Sequence, residues 1–125
     1  MSKKRILIVD DEQDLVFGLK MHLEKNDFEV LTAKDGQEGL DKVRREKPDV
    51  IVLDLMLPKL DGYKVCRMLK FDEKYKHVPV IMLTARVQKN DEKLGYEVGA
   101  DAYMTKPYDA QELVKKIRKL LKEEQ

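Results

Sequence analysis

Cysteine is nearly missing: Cys66 is the only one in 125 residues, so no disulfide can close within the chain. That fits a reducing compartment and excludes the stapled secreted scaffolds. Cys66 falls in a predicted helix, where a buried structural thiol is the expected role. An excess of one charge sign is missing too. Lys and Arg number 25 against 24 Asp and Glu, a net charge of +1. A near-neutral chain carries no electrostatic argument for nucleic acid or an anionic membrane. Long apolar runs are absent. The basic start Met1-Ser2-Lys3-Lys4-Arg5 is followed by only four apolar residues before Asp10. A signal peptide needs about 7–15, and a membrane span about 20. The chain therefore reads as cytoplasmic.

Low-complexity segments, internal repeats and linkers are also missing. Residues 1–125 read as a single domain, large enough to bury a core, with no separate output module in this chain. Asparagine is scarce (Asn26 and Asn90), and charged residues make up 39%. The Lys and Glu excess hints at a thermophile, the alternative being a very soluble mesophilic protein.

What is present alternates between strand and helix patterns from end to end. Strands are predicted over Arg5-Val9, Glu29-Ala33, Val50-Leu53, Val80-Thr84 and Ala102-Thr105. Helices are predicted over Gln13-Lys25, Gly36-Arg45, Tyr63-Phe71, Asp91-Val98 and Ala110-Lys122. Leu15, Leu19 and Leu23 share one face of the first helix; Leu113, Val114, Ile117, Leu120 and Leu121 share one face of the last. Pro48 closes the second helix segment. Asp109 and Glu112 form a D-x-x-E pair resembling a capping box. Strands 1, 3 and 4 are nearly all apolar and rich in Val, Ile and Leu, as strands covered on both faces require. Five such units predict an α/β fold, a doubly wound three-layer α/β/α sandwich on a parallel sheet. The segment Val87-Val98 is expected to be the least stable part.

Four of these strands end on residues suited to phosphoryl or metal chemistry: Asp10-Asp11, Asp54, Thr84 and Lys106. In open α/β sheets, ligands bind at the carboxyl edge, where all of these would meet. An Asp-Asp doublet alone is usually a solvated turn, and a lone strand-end Thr or Lys means little. Together they resemble a phosphoryl-transfer site with a carboxylate nucleophile, a hard cation and donors to phosphoryl oxygens. Crowded carboxylates need a cation or a raised pKa. Asp54 is the better nucleophile, a single acid after the most apolar strand. The doublet is better suited to hold metal. Pro58 and Gly62 shape the loop after Asp54, which could aim a backbone carbonyl at the metal.

The chain resembles the receiver domains of response regulators from two-component signalling, from Lys4 to about Lys122. The resemblance rests on Ile-Val-Asp-Asp at 8–11, Asp-Leu-Met-Leu-Pro-Lys-Leu-Asp-Gly at 54–62, Leu-Thr-Ala-Arg at 83–86 and Gly-Ala-Asp-Ala-Tyr-Met-Thr-Lys-Pro-Tyr at 99–108. It implies a flavodoxin-like sheet of order 2-1-3-4-5 with five helices. Asp54 matches the phosphoacceptor. Asp11 matches the acid that binds Mg²⁺ (or Mn²⁺ in its place), with Asp10 assisting, and Met56 matches the backbone carbonyl on the metal. Lys106 matches the site lysine, with a following Lys106-Pro107 bond that is usually cis. Thr84 and Tyr103 match the switch residues.

The implied function is a phosphoacceptor of a two-component or phosphorelay system. A sensor histidine kinase or histidine phosphotransfer protein would donate the phosphoryl group to Asp54. Thr84 and Tyr103 would then switch the surface of the last two helices and strand 5 toward a downstream protein. No catalysis is implied beyond its own phosphorylation and dephosphorylation. An aspartate-nucleophile phosphatase is the first alternative, but it needs a second acid where Met56 stands. A non-phosphorylated adaptor is the second, but nothing in the acid cluster is lost.

The pattern most resembles receivers that control winged-helix DNA-binding domains. Those dimerise through intersubunit ion pairs. Here Glu92 and Glu112 are both acidic where a pair of opposite charge is typical, and Ala102 replaces an acid opposite Lys116; Glu97 and Arg118 keep their pair. Like charges across an interface disfavour it. The expectation is a monomer when unphosphorylated and at most a weak dimer when phosphorylated. The basic stretch Lys115-Lys119 reads as a solvated face near a helix C-terminus, and His22 and His77 as boundary or surface residues.

Overall fold

Val, Ile and Leu dominate the three central strands, and their stiff, branched side chains favour an extended, well-packed chain. The computed structural model describes residues 3–57, 60–84 and 99–122. Within them, β1 (Arg5–Val9), β2 (Glu29–Ala33), β3 (Val50–Asp54), β4 (Val80–Thr84) and β5 (Ala102–Thr105) form one parallel sheet. Its order is β2-β1-β3-β4-β5, as expected. The described helices are α1 (Gln13–Lys25), α2 (Gly36–Glu46), α3 (Gly62–Lys70) and α4 (Ala110–Leu120). The helix expected over Asp91–Val98 lies outside the described residues, as do Val87, Glu92, Glu97 and Pro58.

Strand alternation splits the core into two layers. Leu7, Val9, Ile51, Leu53 and Met82 pack with Leu40 and Val43 of α2 and Val65, Cys66 and Leu69 of α3. Ile6, Ile8, Val50, Val52, Ile81 and Leu83 pack with Val16, Leu19 and Leu23 of α1 and Leu113, Val114 and Ile117 of α4. Each large side chain fully buried in this way is worth roughly 1.5–3 kcal/mol relative to exposure. Cys66 belongs to the first layer, and burial pushes its thiol up to about 12, so it is a packing residue. His22 is half-buried and His77 exposed. Among the described residues no helix is long and apolar enough to cross a membrane.

Aspartate side chains close the starts of α2, α3 and α4. Asp35 Oδ1 accepts the Glu38 N–H (2.8 Å), while Glu38 Oε1 accepts the Lys34 N–H (2.6 Å), nearly a capping box. The same D-x-x-E spacing at Asp109 and Glu112 predicts a capping box there as well. There, Asp109 Oδ1 takes the Gln111 N–H (2.8 Å), and Glu112 stands 3.6 Å from Lys115 Nζ. The last helix is thus capped from one side, because Glu112 turns to its cationic neighbour one turn on. Asp35→Ala is expected to destabilise the domain by about 1–2 kcal/mol. Urea unfolding followed by circular dichroism measures it; an unchanged midpoint would show that the cap carries no weight.

The amino edge of the sheet is tied by charge. Arg5 donates to Glu29 Oε2 (3.0 Å) and Glu46 Oε1 (2.8 Å), and its backbone N–H donates to Asp49 Oδ2 (2.8 Å). Lys70 Nζ donates to the Val78 carbonyl (3.0 Å) and Asp101 Oδ2 (2.9 Å), and that same oxygen takes the Val80 N–H (2.8 Å). Arg118 is used within the chain: it lies over the Phe28 ring, and its Nη2 donates to the Asn26 carbonyl (3.3 Å). Its expected partner Glu97 lies outside the described residues.

Strand register decides what meets at the other edge. Val9 pairs with Leu53, Asp54 with Leu83, and Thr84 with Thr105. Asp10 is therefore level with Asp54, Thr84 and Thr105 stand one step beyond, and Lys106 follows one step further.

Candidate functional site

At the carboxyl edge, β1 delivers Asp10 and β3 delivers Asp54, and both are buried, 2% and 4% exposed. Their backbones are held by the sheet: the Asp10 N–H donates to the Ala33 carbonyl (3.0 Å), and the Leu55 N–H donates to the Leu83 carbonyl (2.8 Å). Lys106 follows β5, at a Lys106-Pro107 bond that is cis, as the resemblance implied. Its Nζ donates to Asp10 Oδ2 (2.9 Å) and Glu12 Oε1 (2.8 Å) and stands 3.6 Å from Asp54 Oδ2. The Met56 N–H donates to Asp54 Oδ1 (3.3 Å), while the Met56 side chain is 72% exposed.

The electrostatics follow from this crowding. Burial pushes the Asp54 carboxyl from 3.8 up to about 6, and the neighbouring Asp10 charge pushes the same way. Lys106 and the Met56 N–H pull it down by less, and Asp11 adds a smaller upward push. Burial alone would lower the Lys106 pKa, but its hydrogen bonds to Asp10 and Glu12 outweigh that and hold it above the ordinary lysine range. The Tyr108 hydroxyl is pushed up to about 12 by burial first, then by Asp10.

Of the residues singled out in the sequence, Asp10, Asp54 and Lys106 come together in direct contact or close to it. Asp11 is exposed and stands outside this contact set, although its charge reaches Asp54. Thr84 ends β4, and its side chain lies outside the described residues. Tyr103 on β5 is half-buried against the layer formed with α2 and α3. Glu12 is the residue that sequence reading missed. It extends the doublet to Asp10-Asp11-Glu12, and that third acid was the available signal.

Oxygens of Asp10, Glu12 and Asp54 lie within 4.8 Å of one another. Among the described residues three carboxylates share one ammonium, which leaves the cluster short of positive charge there. The donors are all hard oxygens, which suits Mg²⁺ or Mn²⁺ and not a thiophilic metal. The residues present therefore fit a divalent cation.

Comparison with known proteins agrees with this geometry. Residues 6–118 match the family described as response regulator receiver domain. The chain is 47% identical over 119 residues, 95% of its length, to the alkaline phosphatase synthesis transcriptional regulatory protein PhoP of Bacillus subtilis. That match covers 49% of PhoP, so the chain spans about half the length of this curated relative. Among solved structures, a response regulator from Chloroflexus aurantiacus superposes with a TM-score of 0.92 at 33% identity, covering 97% of this chain and 99% of that one. The Mn²⁺-bound form of response regulator Rcp1 superposes with a TM-score of 0.79 at 28% identity, covering 94% and 91%. Receiver domains bind a divalent cation, and a cluster of acids, Asp10, Glu12 and Asp54, is present at this edge. By fold, site and sequence alike, the chain belongs to the response regulator receiver domain family of two-component systems.

Proposed function

We propose that Asp54 is the phosphoacceptor of this receiver and takes its phosphoryl group from a phosphohistidine on a sensor kinase or histidine phosphotransfer protein. The observation that carries this reading is the placement of Asp54 beside Asp10 and Lys106 at the carboxyl edge of the sheet. An Asp54 carboxylate oxygen forms the new O–P bond as the P–N bond of the phosphoimidazole breaks. The released electron pair goes to the ring nitrogen of the donor histidine. Asp54 must be ionised to attack, and Lys106 stands close enough to favour that form. Lys106 is also placed to meet negative charge on the incoming phosphoryl oxygens.

Asp10, Asp11 and Asp54 with the Met56 carbonyl would hold Mg²⁺ or Mn²⁺, which supplies charge neutralisation at the phosphoryl oxygens. Thr84 and Tyr103 form the proposed switch, with β5 and the last helix as part of the readout surface. A contact made to phosphate in only one state biases a two-state equilibrium. The domain is proposed to act in the cytoplasm, as a monomer before phosphorylation, without turnover of free substrates. Its downstream target is a protein, since the charge balance gives no footing for nucleic acid.

Incubation with acetyl phosphate and Mg²⁺, followed by intact mass, tests the reading. One phosphate adduct is expected, lost in Asp54→Asn and lost with chelator. No adduct under any donor and metal condition, or an adduct that survives Asp54→Asn, would overturn it.

A further inference from the structure

Glu12 occupies the N-cap position of α1, yet its side chain caps no helix N–H. Its two polar ends are spent on the site instead. The Glu12 N–H donates to Asp10 Oδ1 (2.9 Å), and its carboxylate takes Lys106 Nζ (2.8 Å). Lys106 is only 9% exposed at its side chain, whereas Glu12 is 58% exposed. The ammonium thus bridges one buried and one exposed acid, and Asp10 is the buried one.

These contacts set up an exchange. If Asp10 turns to a divalent cation, Lys106 loses a hydrogen-bond partner while still largely buried. An ammonium left without partners there is costly. Among the described residues Glu12 is the hydrogen-bonded acceptor that remains, on the solvent side of the cluster, and Asp54 Oδ2 stands farther off at 3.6 Å. We propose that Glu12 is a positioning residue: it holds the Lys106 ammonium at the mouth of the site while Asp10 is given over to a cation. This rests on the phosphoacceptor reading above for its purpose, but the pairing itself can be tested without any phosphoryl donor.

The experiment is a double-mutant cycle on the intact chain, with Mg²⁺ as the probe and calorimetry as the readout. Glu12→Gln and Glu12→Asp are each made with Lys106 present and in the Lys106→Met background. Glu12→Asp keeps the charge but is one methylene too short for the same contact. With Lys106 present, both are expected to weaken Mg²⁺ binding about tenfold, the scale of a charge-assisted hydrogen bond. In the Lys106→Met background the loss is expected to shrink to less than about twofold. Equal weakening in both backgrounds would show that Glu12 acts on the cation itself and overturn the proposal. Parent-like binding by Glu12→Asp would overturn it too, since charge alone would then suffice.

A second arm uses chelator and thermal unfolding. Glu12→Gln is expected to lower Tm by roughly 3 °C with Lys106 present. In the Lys106→Met background it should leave Tm unchanged or raise it, because it then only relieves repulsion among acids. A parent domain that takes up no Mg²⁺ would count against the phosphoacceptor reading, and this arm would still decide the pairing. Coupling between Glu12 and Lys106 upholds it; additive changes overturn it.

Discussion

Asp54→Asn will be more stable than the parent domain at pH 7 in chelator, by about 1–2 kcal/mol. The carboxyl is raised from 3.8, its ordinary value, to about 6 in the folded chain. Such a displacement corresponds to about 3 kcal/mol, of which the buried asparagine amide, itself polar, gives back part. The sign follows from proton binding. Between those pH values the folded state holds the proton more tightly than the unfolded state. The stability contributed by protonated Asp54 is complete below pH 3.8 and is lost as pH rises through about 6. Asparagine is neutral throughout and escapes that loss. The two proteins should therefore have similar stability near pH 4, diverge between pH 4 and 6, and keep a constant gap above that. Urea unfolding across pH 4–8 measures the gap. A pH-independent gap would show that Lys106 balances burial and Asp10, and a variant that loses stability relative to the parent as pH rises would show that Lys106 outweighs them. Added Mg²⁺ should narrow the gap by stabilising the parent, since a ligand that binds only the folded state raises its stability.

Gly62→Ala is expected to cost about 3 kcal/mol or more and to slow phosphorylation of Asp54 as well. Gly62 begins α3 directly behind the end of β3, and its N–H donates to the Leu55 carbonyl (3.0 Å). A Cβ there would run into the Asp54 carbonyl oxygen and come within 2.9 Å of Leu55 Cα. Both obstacles are backbone, so no rotamer change relieves the clash, and overpacking of this kind is destabilising. Relief requires α3 to move away or the end of β3 to shift, and the second displaces Asp54 from Asp10 and Lys106. Thermal unfolding and the rate of adduct formation from acetyl phosphate measure the two effects. A variant with parent-like stability and rate would show that the turn adapts freely. Glycine was expected here to shape a turn. Its φ is not among the positive ones, and the close approach of α3 to Asp54 is the reason for it.

Much of the fold was legible because the signals were local and repeated. The apolar runs of β1, β3 and β4 are buried from both sides, so composition alone marked them as interior parallel strands. Helix bounds matched within a residue or two where amphipathic spacing was strong, as at Leu15-Leu19-Leu23. Capping was less legible. A D-x-x-E spacing predicts reciprocal hydrogen bonds, but whether the acid turns back to the N-cap or outward to a lysine depends on its neighbours. Strand order, like the individual roles in the site, came from family resemblance, since βαβ alternation allows several orders.

The sequence by itself determined that three acids and a lysine would sit at strand ends of a parallel α/β sheet. Parallel strands all present their carboxyl ends at one edge, so this follows from the alternation of elements. Tertiary structure alone decided which of those acids share the lysine. Sequence order made Asp10 and Asp11 equal candidates beside Asp54. The register of β1 on β3 and the hydrogen bond from the Glu12 N–H turn Asp10 inward, leave Asp11 in solvent and bring in Glu12. Lys106 is 94 residues from Glu12 along the chain, and only the closing of β5 beside β4 brings the ammonium within 2.8 Å of it. Spacing can predict that a charge lies at an edge. The partner it finds there depends on long-range packing, which fixes distances that no local pattern records.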